Sequence, residues 1–196
     1  FLELGLHDWL ARSCAQLGMR EPMPIQRACV PAILAGRDVI GRAATGSGKT
    51  AAFALPILQR LSEEPFGVFA LIITPTRELA VQISEQCRAL GERMHVRCEV
   101  VVGGADMIAQ SAALNRRPHI VVGTPGRLVD HLRSGAAEAA ATFGRLRVLV
   151  LDEADRLLDL GFGPEITQLL ERLPPVEKRQ TLLFSATITA SLRELQ

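Results

Sequence analysis

Six short apolar runs recur along the chain: VIGRA (39–43), VFALIIT (68–74), CEVVVGG (98–104), HIVVGT (119–124), VLVLDEA (148–154) and TLLFSAT (181–187). None of them alternates apolar with polar residues. Each therefore reads as a strand covered on both faces, not as one with a wet side. Between the runs, apolar residues recur every three to four positions, as in AAFALPILQRL from residue 51 and RELAVQISEQCRALG, which Gly91 closes as a C-cap. Strands separated by helices of this length predict an α/β fold with a mostly parallel sheet of βαβ units and helices on both faces. GAAEAAAT (135–142) is the one shift in composition and reads as a connecting loop or short helix.

If the sheet is parallel, whatever follows each strand lies at the same edge. The polar clusters GSGKT, PTRE, GG, TPGR, DEAD and SAT each follow an apolar run directly, so all six should face the carboxyl edge, where open α/β sheets bind ligands.

Two of the clusters carry recognisable chemistry. GRAATGSGKT (41–50) joins a strand to a helix. Glycines at 46 and 48 free the backbone to turn several N–H groups toward one anion, and the helix starting near Lys49 adds its unpaired N–H groups. Lys49 would neutralise the outer phosphates and the Thr50 hydroxyl would be a Mg2+ ligand, with Ala43 standing where the strict phosphate-loop pattern has Gly. VLVLDEAD then places Asp152 and Glu153 at a strand end. Asp152 is expected to hold Mg2+, usually through ordered water, and Glu153 to orient or deprotonate an attacking water.

Composition changes this picture little. With 22 basic and 21 acidic side chains the formal charge is +1, so any nucleic-acid binding has to be local instead of a bulk field effect. Cys14, Cys29, Cys87 and Cys98 lack metal-ligand spacing and read as buried, reduced thiols of an intracellular protein. The histidines at 7, 95, 119 and 131 read as structural. No apolar run approaches the length of a membrane span and no signal pattern opens the chain, which begins at Phe and so reads as an excised segment.

In order, GMREPMPIQ, AATGSGKT, PTRELA, GG, TPGR, DEAD and SAT resemble the motif set in the first RecA-like lobe of a DEAD-box RNA helicase, over essentially the whole chain. The resemblance implies a P-loop nucleoside triphosphatase fold, with residues 1–36 as an adenine-recognition region packed on a RecA-like lobe at 37–196. It implies ATP and Mg2+ as cofactors, bound by Phe1, Met19, Gln26 and the loop Ala44, Thr45, Gly46, Ser47, Gly48, Lys49 and Thr50. Lys49, Asp152 and Glu153 would be catalytic. Gln26 matches the family's adenine reader, and a carboxamide does complement the N6 amine and N7 of adenine but not guanine. Phe1 fits the family's upstream aromatic and equally an ordinary core residue. Departures are Met19 and Glu21, where the family commonly has an aromatic and a basic residue, and Ala44 in place of Gln.

By the same resemblance Pro75, Thr76, Arg77, Gly103, Gly104, Thr124, Pro125, Gly126 and Arg127 would contact RNA. Hydroxyl, guanidinium and bare-backbone groups of this kind suit phosphate and sugar, which position a strand without reading bases. Asp155, Ser185, Ala186 and Thr187 would couple the nucleotide and RNA sites. The expected partners are RNA, the second RecA-like lobe with its arginine finger, and pre-ribosomal proteins; the expected state is a monomer away from membranes. SEEPFGVFALIITPTRELA and GGADMIAQSAALNRRPHIVVGTPGRLVDHL look most similar to nucleolar members acting in small-subunit ribosomal RNA maturation. An RNA clamp or assembly scaffold, a DNA-directed RecA-like helicase and a binding-only pseudoenzyme stay open as alternatives, the intact Lys49, Asp152 and Glu153 arguing against the last.

Overall fold

The computed structural model describes residues 1–65, 67–134 and 142–187. The segment expected as a loop or short helix at 135–142, apart from its last residue, and the stretch beyond Thr187 lie outside the described residues. The six apolar runs become β1 (Val39–Arg42), β2 (Ala70–Ile73), β3 (Cys98–Val101), β4 (Ile120–Gly123), β5 (Val148–Leu151) and β6 (Gln180–Ser185). They form one sheet in the order β1-β6-β5-β2-β4-β3, with every neighbouring pair parallel.

Helices supply the crossovers and the outer layers: α1 (Asp8–Gln16), α2 (Pro24–Leu34), α3 (Lys49–Glu63), α4 (Arg77–Leu90), α5 (Met107–Asn115), α6 (Pro125–Ser134), α7 (Ala154–Asp159) and α8 (Gly163–Leu170). Successive strand residues point to opposite faces. Thus Ala70, Ile72, Val148, Val150, Leu182 and Phe184 pack into one core with apolar residues of α1 to α4. Leu71, Ile73, Leu149, Leu151 and Leu183 enter a second core with residues of α5 to α8. Two dry faces explain the missing alternation: β2, β4, β5 and β6 are buried at every residue, whereas β1 and β3, at the sheet edges, are not.

The first stretch of chain is part of the first core, since Leu4, Leu6, Leu10, Cys14, Ile25, Cys29, Val30 and Ile33 share it with α3 and the sheet. Inside it the Phe53 and Phe184 rings tilt at 57° with centroids 5.3 Å apart, an arrangement their quadrupoles favour.

Gly91 does end α4, but its φ of −95° is not left-handed. What demands glycine there is space. A Cβ would lie 2.6 Å from Val96 Cγ1 and 2.9 Å from Leu58 Cδ2, so the position is fixed by close packing and not by the capping geometry that sequence suggests.

Candidate functional site

All six polar clusters gather at the carboxyl edge. Between β1 and α3 the backbone takes φ +79° at Gly46 and +84° at Gly48, the region where only glycine is comfortable. A Cβ on Gly46 would meet nothing within 4 Å, so the crown of the loop is open. Ser47 Oγ donates to Ala44 O at 2.6 Å, and the buried Lys49 donates from Nζ to Ala43 O at 3.0 Å. The cation thus lies folded into its own loop, bonded to the residue that replaces the expected Gly. Thr50 follows in the first turn of α3, half-buried, and Ala44 and Thr45 are exposed.

Gln26 lies behind this loop. Its Oε1 accepts from Met23 N at 2.9 Å and its Nε2 donates to Gly48 O at 3.1 Å, so one carboxamide bridges the start of α2 and the start of α3. The residue is only 1% exposed. A Cβ on Gly48 would collide with Gln26 Nε2 at 2.5 Å and Met23 Sδ at 2.8 Å, a second reason for glycine there. Phe1 and Met19 are half-buried against the first core, and Arg27 of α2 pairs with Glu3.

Asp152 and Glu153 end β5. The Asp152 N–H continues the ladder to Ile73 O at 2.9 Å. Its carboxyl is 4% exposed, and Oδ1 has no hydrogen-bond partner among the described residues. Burial pushes its pKa from 3.8 up to about 6, against the pull of Lys49, with Glu153 and Asp155 adding to the rise. A buried carboxylate oxygen without a partner, under the field of the loop lysine, has the chemistry of a hard oxygen donor that fits Mg2+. Glu153 takes φ +50°, uncommon for a side-chain-bearing residue and of the sort that concentrates at functional sites. Its carboxylate pairs with Arg156 at 3.3 Å.

Parallel pairing of β5 with β6 brings the third cluster alongside. Asp155 Oδ2 accepts from Thr187 N at 3.0 Å and Thr187 Oγ1 at 2.9 Å. Ser185 Oγ accepts from Asp155 N at 3.3 Å and donates to Thr187 O at 2.6 Å. Burial pushes the Asp155 carboxyl up, but hydrogen bonds from Thr187, Ser185 and Arg156 outweigh it and hold the group below its ordinary value. On the other side Ala43 N donates to Ser185 O at 3.0 Å and Arg42 Nε to Ala186 O at 3.3 Å. SAT is therefore wedged between the phosphate loop and DEAD.

Further along the edge, Thr76 caps α4 by accepting from Leu79 N at 3.3 Å, and Pro75 is buried. Arg77 is exposed and lies across Gly104 (φ +76°), where a Cβ would stand 2.4 Å from Arg77 Nη1. Thr124 and Gly126 are half-buried beside the buried Pro125. Arg127 is not a free guanidinium. Its Nη1 donates to Ala105 O at 2.8 Å and Gln110 Oε1 at 3.4 Å, its Nε lies 3.8 Å from Asp130, and its side chain is 15% exposed. Gln110 belongs to this edge but lies in no motif, and no sequence spacing marks a residue that meets its partners only through the folded chain.

The four cysteines are buried and unpaired, as their placement suggested. Burial raises Cys14 to about 11, far from a reactive thiol. His119 Nδ1 accepts from Arg97 N at 3.1 Å. No helix among the described residues is long and apolar enough to cross a membrane.

Comparison with known proteins bears directly on this edge. The family model for the DEAD/DEAH box helicases matches residues 23–195. A human protein named probable ATP-dependent RNA helicase DDX49 is 56% identical over 201 residues, which take in 100% of this chain and 40% of the human one. The Yarrowia lipolytica ATP-dependent RNA helicase DBP8 is 50% identical over 196 residues, 100% of this chain and 44% of its own. A crystal structure of a DEAD box protein from the hyperthermophile Methanococcus jannaschii superposes with a TM-score of 0.91 at 34% identity, covering 100% of this chain and 52% of that one. The chain thus spans less than half the length of these curated relatives.

Proposed function

The chain belongs to the DEAD/DEAH box helicase family, and from that premise we propose that it is the nucleotide-binding lobe of an ATP-dependent RNA helicase. The observation that carries the reading is Asp152: a buried carboxylate with an orphaned oxygen, under the charge of Lys49, at the edge where the open glycine loop lies. The triphosphate would lie on the backbone N–H groups at Gly46 to Thr50, and Lys49 would exchange the Ala43 carbonyl for phosphate oxygens. Thr50 and Asp152 would hold Mg2+, which when bound neutralises phosphate charge as a Lewis acid. Asp152 would serve in its ionised form, which prevails above about pH 6. Glu153 would orient and deprotonate the attacking water, exchanging its present pairing with Arg156 to do so.

Gln26 reads adenine in this scheme without abandoning its present bonds. A carboxamide has two donors and two acceptor lone pairs, and Gln26 spends one of each on Gly48 O and Met23 N. What remains, one N–H and one lone pair, matches N7 and the N6 amine. Because the residue is 1% exposed, a bound base has to displace whatever covers it.

Arg77, Thr76, Thr124 and the backbone at Gly103, Gly104 and Gly126 would meet RNA phosphate and sugar, together with Pro75, Pro125 and Arg127, independently of base sequence. Joined to a second lobe that supplies an arginine, the lobe would couple ATP hydrolysis to local duplex opening or RNP remodelling. Such an arginine accelerates phosphoryl transfer by about a thousandfold or more, so this lobe without it would bind nucleotide and turn it over slowly. Nucleolar residence and pre-ribosomal partners extend the same reading, resting on the resemblance of the wider sequence alone.

Calorimetric titration of the chain with ADP and then GDP, both with Mg2+, tests the core of it. ADP is expected to bind with GDP at least about tenfold weaker, or 1.4 kcal/mol. Equal affinities would remove Gln26 as the reader, and no binding of either would remove the nucleotide site.

A further inference from the structure

The two glycines of GG and the TPGR turn come from different crossovers, yet they are held by one buried side chain that no motif includes. Gln110 of α5 is 8% exposed. Its Nε2 donates to Val102 O at 2.9 Å, the carbonyl immediately before Gly103. Its Oε1 faces two donors from α6, Arg127 Nη1 at 3.4 Å and His131 Nε2 at 3.1 Å. Arg127 Nη1 also donates to Ala105 O at 2.8 Å, the carbonyl immediately after Gly104. Gln110 and Arg127 therefore clasp the glycine pair from both sides, on Val102 and on Ala105.

The protonation pattern follows without choice. A carbonyl oxygen only accepts, so Val102 O fixes which end of the carboxamide is the NH2, and Oε1 must be the end facing α6. His131 Nε2 must then carry the hydrogen. Nδ1 is left bare and accepts from Ser111 O–H at 3.2 Å. Burial, with Arg127 beside it, holds the imidazole below its ordinary pKa, against Asp130, so the neutral ring this pattern requires is the form present at pH 7. Both ends of the Gln110 carboxamide are engaged, and buried hydrogen-bond networks rigidify what they join.

We propose that Gln110, locked by His131 and Ser111, is a positioning residue that sets the GG backbone and the TPGR turn in one fixed register for successive phosphates of a bound strand. The inference rests on the reading of this edge as the RNA-binding one. In it Arg127 spends a guanidinium nitrogen on the strut, and Gln110 itself touches no RNA. Little side-chain packing holds the glycine pair otherwise: Gly103 has nothing within 4 Å of a would-be Cβ, and Gly104 has only the Arg77 side chain. Removing the clasp should let the GG turn drift away from TPGR.

The test uses the full-length protein carrying both lobes, with Gln110→Met, which keeps the length of the side chain and deletes its hydrogen bonds, and Gln110→Glu, which keeps an acceptor toward α6 but offers no donor to Val102. Three readouts separate the possibilities: ADP affinity, amide hydrogen exchange at Gly103–Ala105 and Gly126–Arg127, and anisotropy of a fluorescent single-stranded oligouridylate with a non-hydrolysable ATP analogue. Gln110→Met should leave ADP affinity unchanged, speed exchange in both turns and weaken RNA by about tenfold or more, with Gln110→Glu between it and the parent. Unchanged exchange and RNA affinity in Gln110→Met would overturn the proposal, as would a parallel loss of ADP affinity, which would mean a general folding role. Faster exchange in a protein whose parent binds no RNA, or is indifferent to Arg77→Ala, would keep the strut and overturn both its RNA purpose and the RNA reading of this edge.

Discussion

Asp152 shows how far a single residue can be read. That an acidic group ends a buried strand is visible in DEAD itself; that its pKa is raised to about 6 is not, because its solvation depends on what the fold brings around it. Its folded pKa of about 6 exceeds the ordinary 3.8, so between these values the folded state binds more protons than the unfolded one. Stability then falls as pH rises through that window and stays low above it. Asp152→Asn in the metal-free chain should therefore raise stability at pH 7.5 by an amount on the order of 3 kcal/mol, seen as a higher melting temperature, and make no difference below pH 3.8; equal melting curves for the two proteins at pH 7.5 would contradict the buried, unpaired carboxylate. Gly48 offers a second check. With φ +84° and Gln26 Nε2 only 2.5 Å from a would-be Cβ, Gly48→Ala should cost about 1–2 kcal/mol from backbone strain alone, visible in urea unfolding, and should weaken ADP binding by dislodging Gln26.

At the scale of elements, periodicity did most of the work. The six runs lacking alternation became the six strands with their order along the chain intact, because burial on both faces leaves a signature in each strand separately. Of the caps of α4 the sequence named Gly91, which ends the helix by being small, as only the neighbouring Leu58 and Val96 reveal; the structure adds Thr76, which caps it by hydrogen bonding. Thr76→Ala should cost about 1 kcal/mol, measured by chemical denaturation, as the partly buried Leu79 N–H loses its acceptor. The bridge between β5 and β6 depends on pH in the sense opposite to Asp152. Asp155 is held below its ordinary value chiefly by Thr187 and Ser185 against burial, so its contribution is present near neutrality and lost as pH falls through the depressed value. Thr187→Ala should therefore destabilise the chain at pH 7 and match the parent in strong acid, where the carboxyl is protonated in both.

For the molecule as a whole, the parallel order β1-β6-β5-β2-β4-β3 collects six motifs from distant parts of the chain at one edge. Its relatives are more than twice as long, so the proposed catalysis is tested in the complete protein. Glu153→Gln in that full-length protein should abolish RNA-stimulated ATP turnover, read as phosphate release, while ATP affinity changes less than about twofold. Turnover at the parental rate would remove Glu153 as the group acting on water.

By itself the sequence determined the α/β class, the strands, the phosphate loop, the acidic strand end and the family to which they belong. Each of these is written locally, in apolar runs, in glycines ahead of a helix and in short motifs whose members are neighbours in the chain. Tertiary structure alone decided that Lys49 folds onto Ala43, that Gln26 bridges α2 to Gly48, that Asp152 loses its water, and that Gln110 and Arg127 clasp the GG turn. Those facts depend on partners separated by six to more than twenty residues meeting in space. Hydrogen bonding and desolvation are set by three-dimensional proximity, which no one-dimensional pattern encodes.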